Sequence, residues 1–464
     1  MIRRTLAILT FVCLAATLRA DNWPGWRGAE GQGQCAEKAL PLTWSTKENV
    51  RWKVPLPDSG NSTPVIWGDR VFVTQASDKT KWPPKAGGGP AVARKRSLLC
   101  LARADGKLLW QKDVTYDTPE ATHPTNPFCA ASPAADGERV VVSFGSAGMY
   151  CYDFSGKELW KKDLGKLEHI WGNASSPILY GDLAILWCGP GERQFLLAVN
   201  KKTGEKVWQH DEPGGSDGMK KSAWIGSWST PIIARVHGQD QLILGVPKFL
   251  KGFDPANGKE LWSCAGLGNL VYTSPLYVDG IAVAMSGFHG PALAVKLGGK
   301  GDITKDRLWH HAKSNPQRIG SGVIIGQHVY MLEENGTPHC FDLKTGAEVW
   351  KVKQRPEGGA WGSMVRANDR LYVTTRGGTT LVFAANPKYE LLASNRLGEH
   401  VDASVAISDG DLFIRTYKHL WCISDKGKLQ SDRRPAWRDH NLRDSGNPTI
   451  TTLLPSLPGI LSKR

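Results

Sequence analysis

Aromatic and polar residues stand at matching places along the chain, each close before a short step of small residues. These residues are Trp171, Asn173, Trp224, Trp228, Tyr272, Arg318, Trp361, His400 and Asp402. Indole and phenol rings, together with amide, guanidinium, imidazole and carboxylate groups, suit a planar or sugar-like ligand, or a peptide segment. The spacing predicts a binding site if one fold brings these places together. The alternative is that the aromatic side chains only fill a channel.

Motifs of the common catalytic classes do not occur in the sequence. It contains no nucleophile elbow, no zinc motif and no phosphate-binding loop. It also lacks C-x-x-C-H, the motif that attaches haem covalently. His310 and His311 adjoin Trp309, and adjacent residues of a strand face opposite sides, so we expect structural roles for them. We therefore predict no catalytic residue and no metal site.

One short sequence recurs through the chain: TGEKVW at 203–208, SGKELW at 155–160, NGKELW at 257–262 and TGAEVW at 345–350. The tryptophans of this series lie 41 to 58 residues apart, at Trp52, Trp110, Trp160, Trp208, Trp262, Trp309 and Trp350. A sequence that returns at such intervals is typical of a repeat architecture. The small-residue steps also recur, and eight of them begin near residues 62, 131, 175, 229, 273, 321, 363 and 404.

Each unit reads as four short strands. In ILYGDLAILW (178–187), two apolar runs flank Gly181-Asp182, which is a hairpin signal. Four-stranded units repeated in this way predict an all-β fold, an eight-bladed β-propeller of four-stranded antiparallel blades. The last unit lacks its own tryptophan strand, so residues 49–54 (NVRWKV) are expected to complete it and close the ring. In the seventh unit we assign Leu392 to the tryptophan position.

The repeated glycine and tryptophan have a framework role in this interpretation. The glycine forms the bend between the two outer strands, and the tryptophan buries its ring between neighbouring blades. Four cysteines share one repeat position, at Cys100, Cys151, Cys340 and Cys422. Equivalent positions in separate blades lie mostly beyond disulfide reach, so we expect buried thiols there.

The two ends of the chain differ from the repeats. Residues 1–20 resemble a signal peptide, because two arginines precede an apolar run too short to span a membrane. Export to the periplasm or the extracellular space is therefore expected. Residues 21–43 form an N-terminal segment containing WPGWRG, 44–430 form the propeller, and 431–464 form a partly flexible extension. The formal net charge of +14 is scattered, which favours a solvated surface over a nucleic-acid site.

The pattern L-x-A-x-x-x-x-T-G-x-x-x-W, complete at residues 196–208, resembles the repeat of PQQ-like β-propellers. The resemblance covers about 44–430, and NWPGWRG (22–28) resembles the N-terminal segment of exported members of that family. The family includes quinoprotein dehydrogenases and the BamB-type scaffold of outer-membrane assembly. Because enzymes and scaffolds share this fold, the resemblance by itself does not decide function.

The residues that the dehydrogenases use are only partly present. Trp228 resembles their quinone-stacking tryptophan, and Arg193, which resembles a family arginine, is included among the residues expected at the channel face. The sequence has no adjacent cysteine pair, has LGVP (244–247) where the family has G-x-G-N-P, and has VYTS (271–274) where the family has an acidic step. The resemblance is therefore closer to the non-enzymatic BamB-like and unassigned exported propellers. No cofactor is firmly expected, and PQQ with calcium is the alternative.

The sequence thus predicts an exported binding or scaffold protein that works through the central-channel face. The alternatives are a PQQ-dependent oxidoreductase and an outer-membrane protein assembly factor. The expected partner is a protein, a small molecule or a glycan at that face, with association with the cell envelope as an option and with no nucleic acid. The oligomeric state is left open.

Overall fold

A computed structural model describes residues 22–80, 88–212, 224–287, 289–312, 319–352 and 359–425. The predicted signal peptide and the extension at 431–464 lie outside these residues. The predicted all-β propeller is confirmed. In the described residues, a sheet containing four antiparallel strands in this arrangement occurs eight times, and each such set of four strands is called a blade here. Hairpin turns join the strands because short, largely buried apolar runs flank glycine and aspartate residues that accept the positive φ of tight turns.

The blades follow the chain in order. Blade 1 consists of Val65–Trp67, Arg70–Thr80, Gly89–Ala102 and Leu108–Thr115, and blade 2 consists of Ala134–Ala135, Arg139–Ser143, Met149–Asp153 and Glu158–Lys162. Blade 3 consists of Ile178–Tyr180, Leu183–Cys188, Gln194–Asn200 and Lys206–Glu212, and blade 4 consists of Ile232–Val236, Gln239–Val246, Phe249–Phe253 and Glu260–Ala265.

Blade 5 consists of Leu276–Val278, Ile281–Met285, Ala292–Lys296 and Arg307–His311, and blade 6 consists of Val323–Ile325, His328–Leu332, Pro338–Asp342 and Glu348–Lys351. Blade 7 consists of Val365–Ala367, Arg370–Thr374, Thr379–Ala384 and Leu391–Arg396, and blade 8 consists of Ala406–Ser408, Asp411–Arg415, His419–Ile423 and Val50–Pro55. Five short strands lie outside this pattern, at Gln34–Cys35, Glu120–Thr122, Gly226–Ser227, Leu270–Val271 and Gly301–Asp302. Two 3-10 turns lie at Gly145–Ala147 and Thr304–Asp306.

The ring is closed by an early strand, as the sequence predicts. Val50–Pro55 pairs antiparallel with His419–Ile423, and Trp52 lies opposite Cys422. Residues near the two ends of the described chain therefore share one sheet, and their apolar side chains share one core cluster. This pairing fastens the first blade to the last one.

A ring of hydrogen bonds joins the eight blades around the central channel. At each small-residue step, a backbone N–H donates to the hydroxyl oxygen of the equivalent residue in the next blade. The eight bonds, of 2.8 to 3.2 Å, run from Thr63 to Ser132, then to Ser176, Thr230, Ser274, Ser321, Ser363, Ser404 and back to Thr63. The steps are small because the eight entering backbones converge on one axis there.

The tryptophans contact the turn glycines of the following blade. The Trp160 indole donates to the Lys201 carbonyl at 2.9 Å and packs on Gly204, and Trp52 makes the same contacts with Arg103 and Gly106. Blade 7 differs from the assignment made from the sequence. Ala393, not Leu392, lies opposite Val382 in the tryptophan register, because the hairpin between them is one residue longer than that between Ala198 and Trp208 in blade 3.

We expect Gly204→Ala to destabilise the protein more than Gly181→Ala does. Both glycines have a positive φ, so both substitutions cost about 1–2 kcal/mol of backbone strain. A Cβ at Gly204 would also lie 2.7 Å from Trp160, whereas a Cβ at Gly181 has no atom within 4 Å. Overpacking of that contact adds about 1–3 kcal/mol. Denaturation midpoints measure the difference, and equal losses would contradict the wedge contact.

Residues 22–35, called the N-terminal plug here, cross the inside of the ring. Trp23 exchanges two backbone hydrogen bonds with Ile66 of blade 1, and Gln34–Cys35 pairs in parallel with Arg366–Ala367 of blade 7. Between these ends, Arg27 is fully buried. Its guanidinium donates five hydrogen bonds to carbonyl oxygens: those of Gly31, Gln32, Ser321, Gly322 and Met364. The plug is therefore fixed to blades 1, 6 and 7.

Seven cysteines of the described residues are buried thiols: Cys100, Cys129, Cys151, Cys188, Cys264, Cys340 and Cys422. Burial raises the pKa of Cys100 to about 12. No helix in the described part of the chain is long and apolar enough to cross a membrane.

Candidate functional site

A cavity of about 240 Å³ lies where the eight inner strands begin. Every blade contributes to its wall through the segment that enters its inner strand. The described lining residues are the aromatic Trp26, Trp171, Trp228, Tyr272 and Trp361, the polar Asn61, His123, Thr125, Asn126 and Asp402, the hydroxyl-bearing Thr63, Ser176, Thr230, Ser363 and Ser404, and the apolar Ala130, Ala174 and Ile319. The chain thus builds one concave surface from segments far apart in the sequence.

The N-terminal plug forms the floor of this cavity through Trp26. The same side chain lines a second cavity of about 650 Å³, which lies between the plug and the inner strands of blades 2 to 5. Trp26 therefore separates the two spaces. A ligand that enters from the face where the inner strands begin meets an indole ring at the end of the funnel.

One wall is a cluster of tilted aromatic rings from blades 3, 4 and 5. Trp228 stacks on Tyr272, with ring centroids 4.8 Å apart and planes within 5°. Trp171 lies 5.8 Å from Trp228 and 6.2 Å from Tyr272, at tilts near 50°. The Trp228 indole donates to the Gly172 carbonyl at 2.7 Å, which fixes its ring. The wall is therefore rigid and curved rather than flat.

His169 lies behind this wall. Its ring packs edge-on against Trp228 at 4.9 Å, and its side chain is buried. Burial lowers the pKa of His169 to about 4, so the imidazole is neutral near pH 7. The aromatic wall therefore carries no charge from this residue.

Trp361 forms the wall on the other side of the ring, since blade 7 lies four blades away from blade 3. The Arg376 guanidinium carbon lies 4.1 Å from the centre of its indole ring, a cation–π contact. Its indole nitrogen donates to Glu334 at 3.3 Å. One face of Trp361 is thus covered by protein.

Asp402 is the one carboxylate among the described lining residues, and three groups hold it. Arg376 donates to Oδ1 at 2.7 Å, while Tyr417 at 2.8 Å and His400 at 2.9 Å contact Oδ2. Burial raises the pKa of Asp402, but the hydrogen bond from His400 and the charge of Arg376 outweigh this and lower it. Asp402 is therefore ionised, and Arg376 offsets its charge.

Two asparagines from blades 1 and 2 complete the wall. The Asn61 amide donates to the Thr125 carbonyl at 2.8 Å, and the Asn126 amide donates to the carbonyls of Trp171 and Asn173 at 3.0 Å. Both amide nitrogens are thereby fixed. The Oδ1 atoms of Asn61 and Asn126 are buried and have no hydrogen-bond partner in the part of the chain that the structure describes.

The structure brings together five of the ten residues predicted from the sequence: Trp171, Trp228, Tyr272, Trp361 and Asp402 line the cavity. Three more stand directly behind the lining. Trp224 packs on Trp171 at 4.4 Å, His400 holds Asp402, and Asn173 donates to the Leu167 carbonyl.

The remaining two predicted residues are not in the wall. Arg193 is exposed on a hairpin of blade 3, where its guanidinium covers the ring of Phe195 and donates to the Leu164 carbonyl. Arg318 lies outside the described residues. Arg193 therefore stands outside the described lining of this cavity. The hairpin that carries it lies farther from the axis than the entry segments do.

Sequence reasoning missed the asparagines and Trp26. Asn61 directly precedes the first small-residue step, so its position did carry the signal. Asn126 lies five residues before its step, and only its hydrogen bonds to blade 3 place it in the wall. Trp26 belongs to a segment outside the repeats, and its position depends on the buried Arg27.

The described lining does not fit a calcium-bound quinone. Calcium takes six to eight oxygen ligands, and Asp402 is already engaged by three donors. Tyr272, in the segment where the dehydrogenase pattern has an acidic step, covers one face of Trp228. His210, Glu212 and Glu260 cluster at the outer strands of blades 3 and 4, away from the cavity. The Lys251 ammonium donates to Glu212 and Glu260, so it already occupies the position that a metal cation would take in this cluster.

Comparison with known proteins places this geometry in context. The family model described as "Outer membrane protein assembly factor BamB" matches residues 94–352. No curated protein matches the chain by sequence. The fold is similar to a quinohemoprotein alcohol dehydrogenase from Comamonas testosteroni, with a TM-score of 0.62 and 12% identity over 89% of this chain and 82% of that one.

Two further solved structures resemble the chain at the same identity of 12%. A europium-containing methanol dehydrogenase has a TM-score of 0.61 over 86% of this chain and 90% of its own. BamB from Moraxella catarrhalis has a TM-score of 0.49 over 75% of this chain and 97% of its own. At this identity, the similarity to the two dehydrogenases shows the fold alone.

Proposed function

This chain belongs to the PQQ-like β-propeller family of the BamB assembly-factor model, and from that premise we propose that it is an exported binding or scaffold protein acting through its channel-face cavity. The observation that carries the proposal is the cavity itself. Rigid aromatic walls, fixed amides and a closed floor form a preorganised surface, and preorganisation lowers the entropic cost of binding. The predicted signal peptide supports an exported location.

The site favours binding over chemistry. Its one carboxylate among the described lining residues is held by Arg376, His400 and Tyr417, so it is poorly placed to accept a proton from a ligand. The fixed aromatic rings supply contact area at low entropic cost, which is the usual use of tryptophan and tyrosine in recognition.

The family match supports a second candidate, an outer-membrane protein assembly factor. In that role, the funnel would receive side chains of an envelope protein rather than a free small molecule. The same face serves both candidates, because the entry segments of all eight blades meet there.

The test compares the wild-type protein with Trp171→Ala and Trp361→Ala in a survey of bound ligands and partners. We expect each substitution to weaken capture at least about tenfold, since central aromatic anchors contribute most of an interface's binding energy. Trp67→Ala is the matched control, because Trp67 lines the cavities beside the plug instead. Capture that survives both cavity substitutions would contradict the proposal. A quinone absorbance gained with PQQ and Ca²⁺ would favour the oxidoreductase instead.

A further inference from the structure

We propose that residues 453–458 (LLPSLP) dock as a polyproline II segment in a groove beside the N-terminal plug of the same molecule, on the side of the ring opposite the channel-face cavity. The groove, called the plug-side groove here, consists of two cavities of about 650 and 710 Å³. The two cavities share Pro24, Ala29, Glu30 and Trp67 in their walls. This site goes beyond the proposed function, which concerns the other face.

The chain leaves its last described strand on the same side of the ring as this groove. The inner strands begin at the channel face, so the first and third strands of each blade run toward the plug side, and the second and fourth run back. His419–Ile423 is the third strand of blade 8, and Ser424 then donates its N–H to the Asn49 carbonyl at 2.8 Å. Residues 426–464, called the tail here, therefore continue from the plug side.

The groove starts beside the blade from which the tail departs. Ile407, on the inner strand of blade 8, lines the cavity of about 710 Å³, and Trp67 lies between that cavity and the other one. Residues 426–452 form a connection of 27 residues to the LLPSLP segment, which reaches up to about 90 Å when extended. A compact domain of ~400 residues has a radius of gyration of about 21 Å, so this connection is long enough to reach the whole groove.

Among the undescribed segments, the tail is the one that adjoins this face in the mature protein. The internal gaps at 81–87, 213–223, 288, 313–318 and 353–358 follow second or fourth strands, so they continue from the channel face. Residues 1–20 are the predicted signal peptide, which export removes. The position of the groove therefore favours the tail as its occupant.

The wall of the groove is aromatic and apolar. The cavity of about 650 Å³ is lined by four half-buried aromatic side chains, those of Trp26, Trp67, Tyr180 and Tyr277. The Tyr180 hydroxyl donates to Asp240 at 2.9 Å, and the Tyr277 hydroxyl donates to the Arg235 carbonyl at 2.7 Å. Both rings are thereby held in place. Half-buried apolar side chains of the inner strands of blades 3 and 4 line the same cavity, those of Ile178, Leu179 and Ile233.

The LLPSLP segment has the sequence that such a groove recognises. Pro455 and Pro458 are three residues apart, and so are Leu454 and Leu457. A polyproline II helix has three residues per turn, so each pair lies along one edge and the two edges form one apolar ridge. Proline-rich segments of this kind dock in aromatic-lined grooves. The fixed φ of proline also lowers the entropic cost of docking.

The first experiment measures amide hydrogen exchange in the mature protein from residue 21 onward. Leu457→Asp places a charge in the docked segment, so it is expected to free the groove. We expect residues 177–181 and 231–235 of the groove wall to exchange at least about fivefold faster than in the wild type. Leu442→Asp, the same substitution elsewhere in the tail, is the matched control and is expected to leave exchange unchanged. Thermal melting verifies that each variant folds.

The second experiment adds a peptide of residues 450–462 (ITTLLPSLPGILS) to the same proteins and measures its fluorescence anisotropy. In the wild type, the tethered segment competes at an effective concentration on the order of millimolar. We therefore expect saturable binding to the Leu457→Asp protein and at least about tenfold weaker binding to the wild type. Adding Trp67→Ala to the Leu457→Asp protein should weaken binding at least about tenfold, because an aromatic anchor is lost. Tyr277→Ala takes its place if that variant does not fold.

The outcomes separate this inference from the proposed function. Equal exchange in the wild type and Leu457→Asp, with no peptide bound by Leu457→Asp, would overturn the inference and leave the proposed function intact. Peptide binding that Trp67→Ala and Tyr277→Ala leave unchanged would place the site elsewhere and contradict it. Groove protection that rises with protein concentration would assign the segment to a second copy of the chain, which also contradicts docking within one molecule.

Discussion

Replacing Trp52 with alanine is expected to lower the free energy of unfolding by about 3–5 kcal/mol, the usual cost of deleting a buried tryptophan. Trp52 is 2% exposed, packs on Gly106 of blade 1 and donates its indole N–H to the Arg103 carbonyl at 2.8 Å. It also lies on the strand that closes the ring. The substitution therefore leaves a cavity and an unpaired carbonyl at the joint between the first and last blades. Denaturant titration measures the loss.

Trp350→Ala is the matched control for this prediction. Trp350 holds the same repeat position in blade 6 but is only half-buried, and its indole nitrogen has no hydrogen-bond partner among the described residues. We expect a smaller loss there, because less contact area and no indole hydrogen bond disappear. Equal losses in the two variants would show that closure of the ring adds nothing at Trp52.

Replacing Arg27 with alanine is expected to destabilise the protein by at least about 3 kcal/mol. The substitution removes the donor for five carbonyl groups, and each buried carbonyl left unpaired costs about 1–3 kcal/mol. Burial lowers the pKa of Arg27 to about 9, so the group is still cationic at neutral pH. Arg27→Lys is expected to rescue little, because an ammonium lacks the planar fork that reaches several carbonyls at once.

Arg235→Ala is the control for Arg27→Ala. Arg235 is exposed and pairs with Asp240 at the surface, so its loss is expected to cost about 1 kcal/mol or less. Hydrogen exchange gives a local measure of the effect. Amides that join the plug to blades 1 and 7, at Trp23, Ile66 and Arg366, should exchange faster in Arg27→Ala than in Arg235→Ala. Unchanged exchange would show that other contacts hold the plug.

The plug links stability to function, because it carries Trp26 into the cavity. A plug that detaches would join the cavity of about 240 Å³ to the larger space beyond it. Ligand affinity should therefore fall together with protection of the Trp23 amide. If the plug only covered the far face of the ring, Arg27→Ala would speed exchange of the Trp23 amide without changing ligand affinity.

The sequence by itself determined the repeat and its closure. The Gly and Trp of each unit are local signals at a fixed interval, and strand pairing follows the alternation of apolar residues, so both can be read without coordinates. The pairing of Val50–Pro55 with the last blade could be predicted because the last unit lacks its own tryptophan strand and residues 49–54 precede the first unit. The error at Leu392 arose because the hairpin of blade 7 is one residue longer than that of blade 3, and without the turn glycine and the tryptophan no local signal marks the register.

The candidate site was determined only in part by the sequence. Residues just before the small-residue steps were predicted to meet, and Trp171, Trp228, Tyr272, Trp361 and Asp402 do meet. Only the tertiary structure decided that Tyr272 covers Trp228, that Arg376 neutralises Asp402 and that Trp26 closes the floor. The physical reason is that the repeat fixes where each backbone enters the ring. The direction of a side chain in the funnel depends instead on contacts with neighbouring blades and the plug, which lie far away in the sequence.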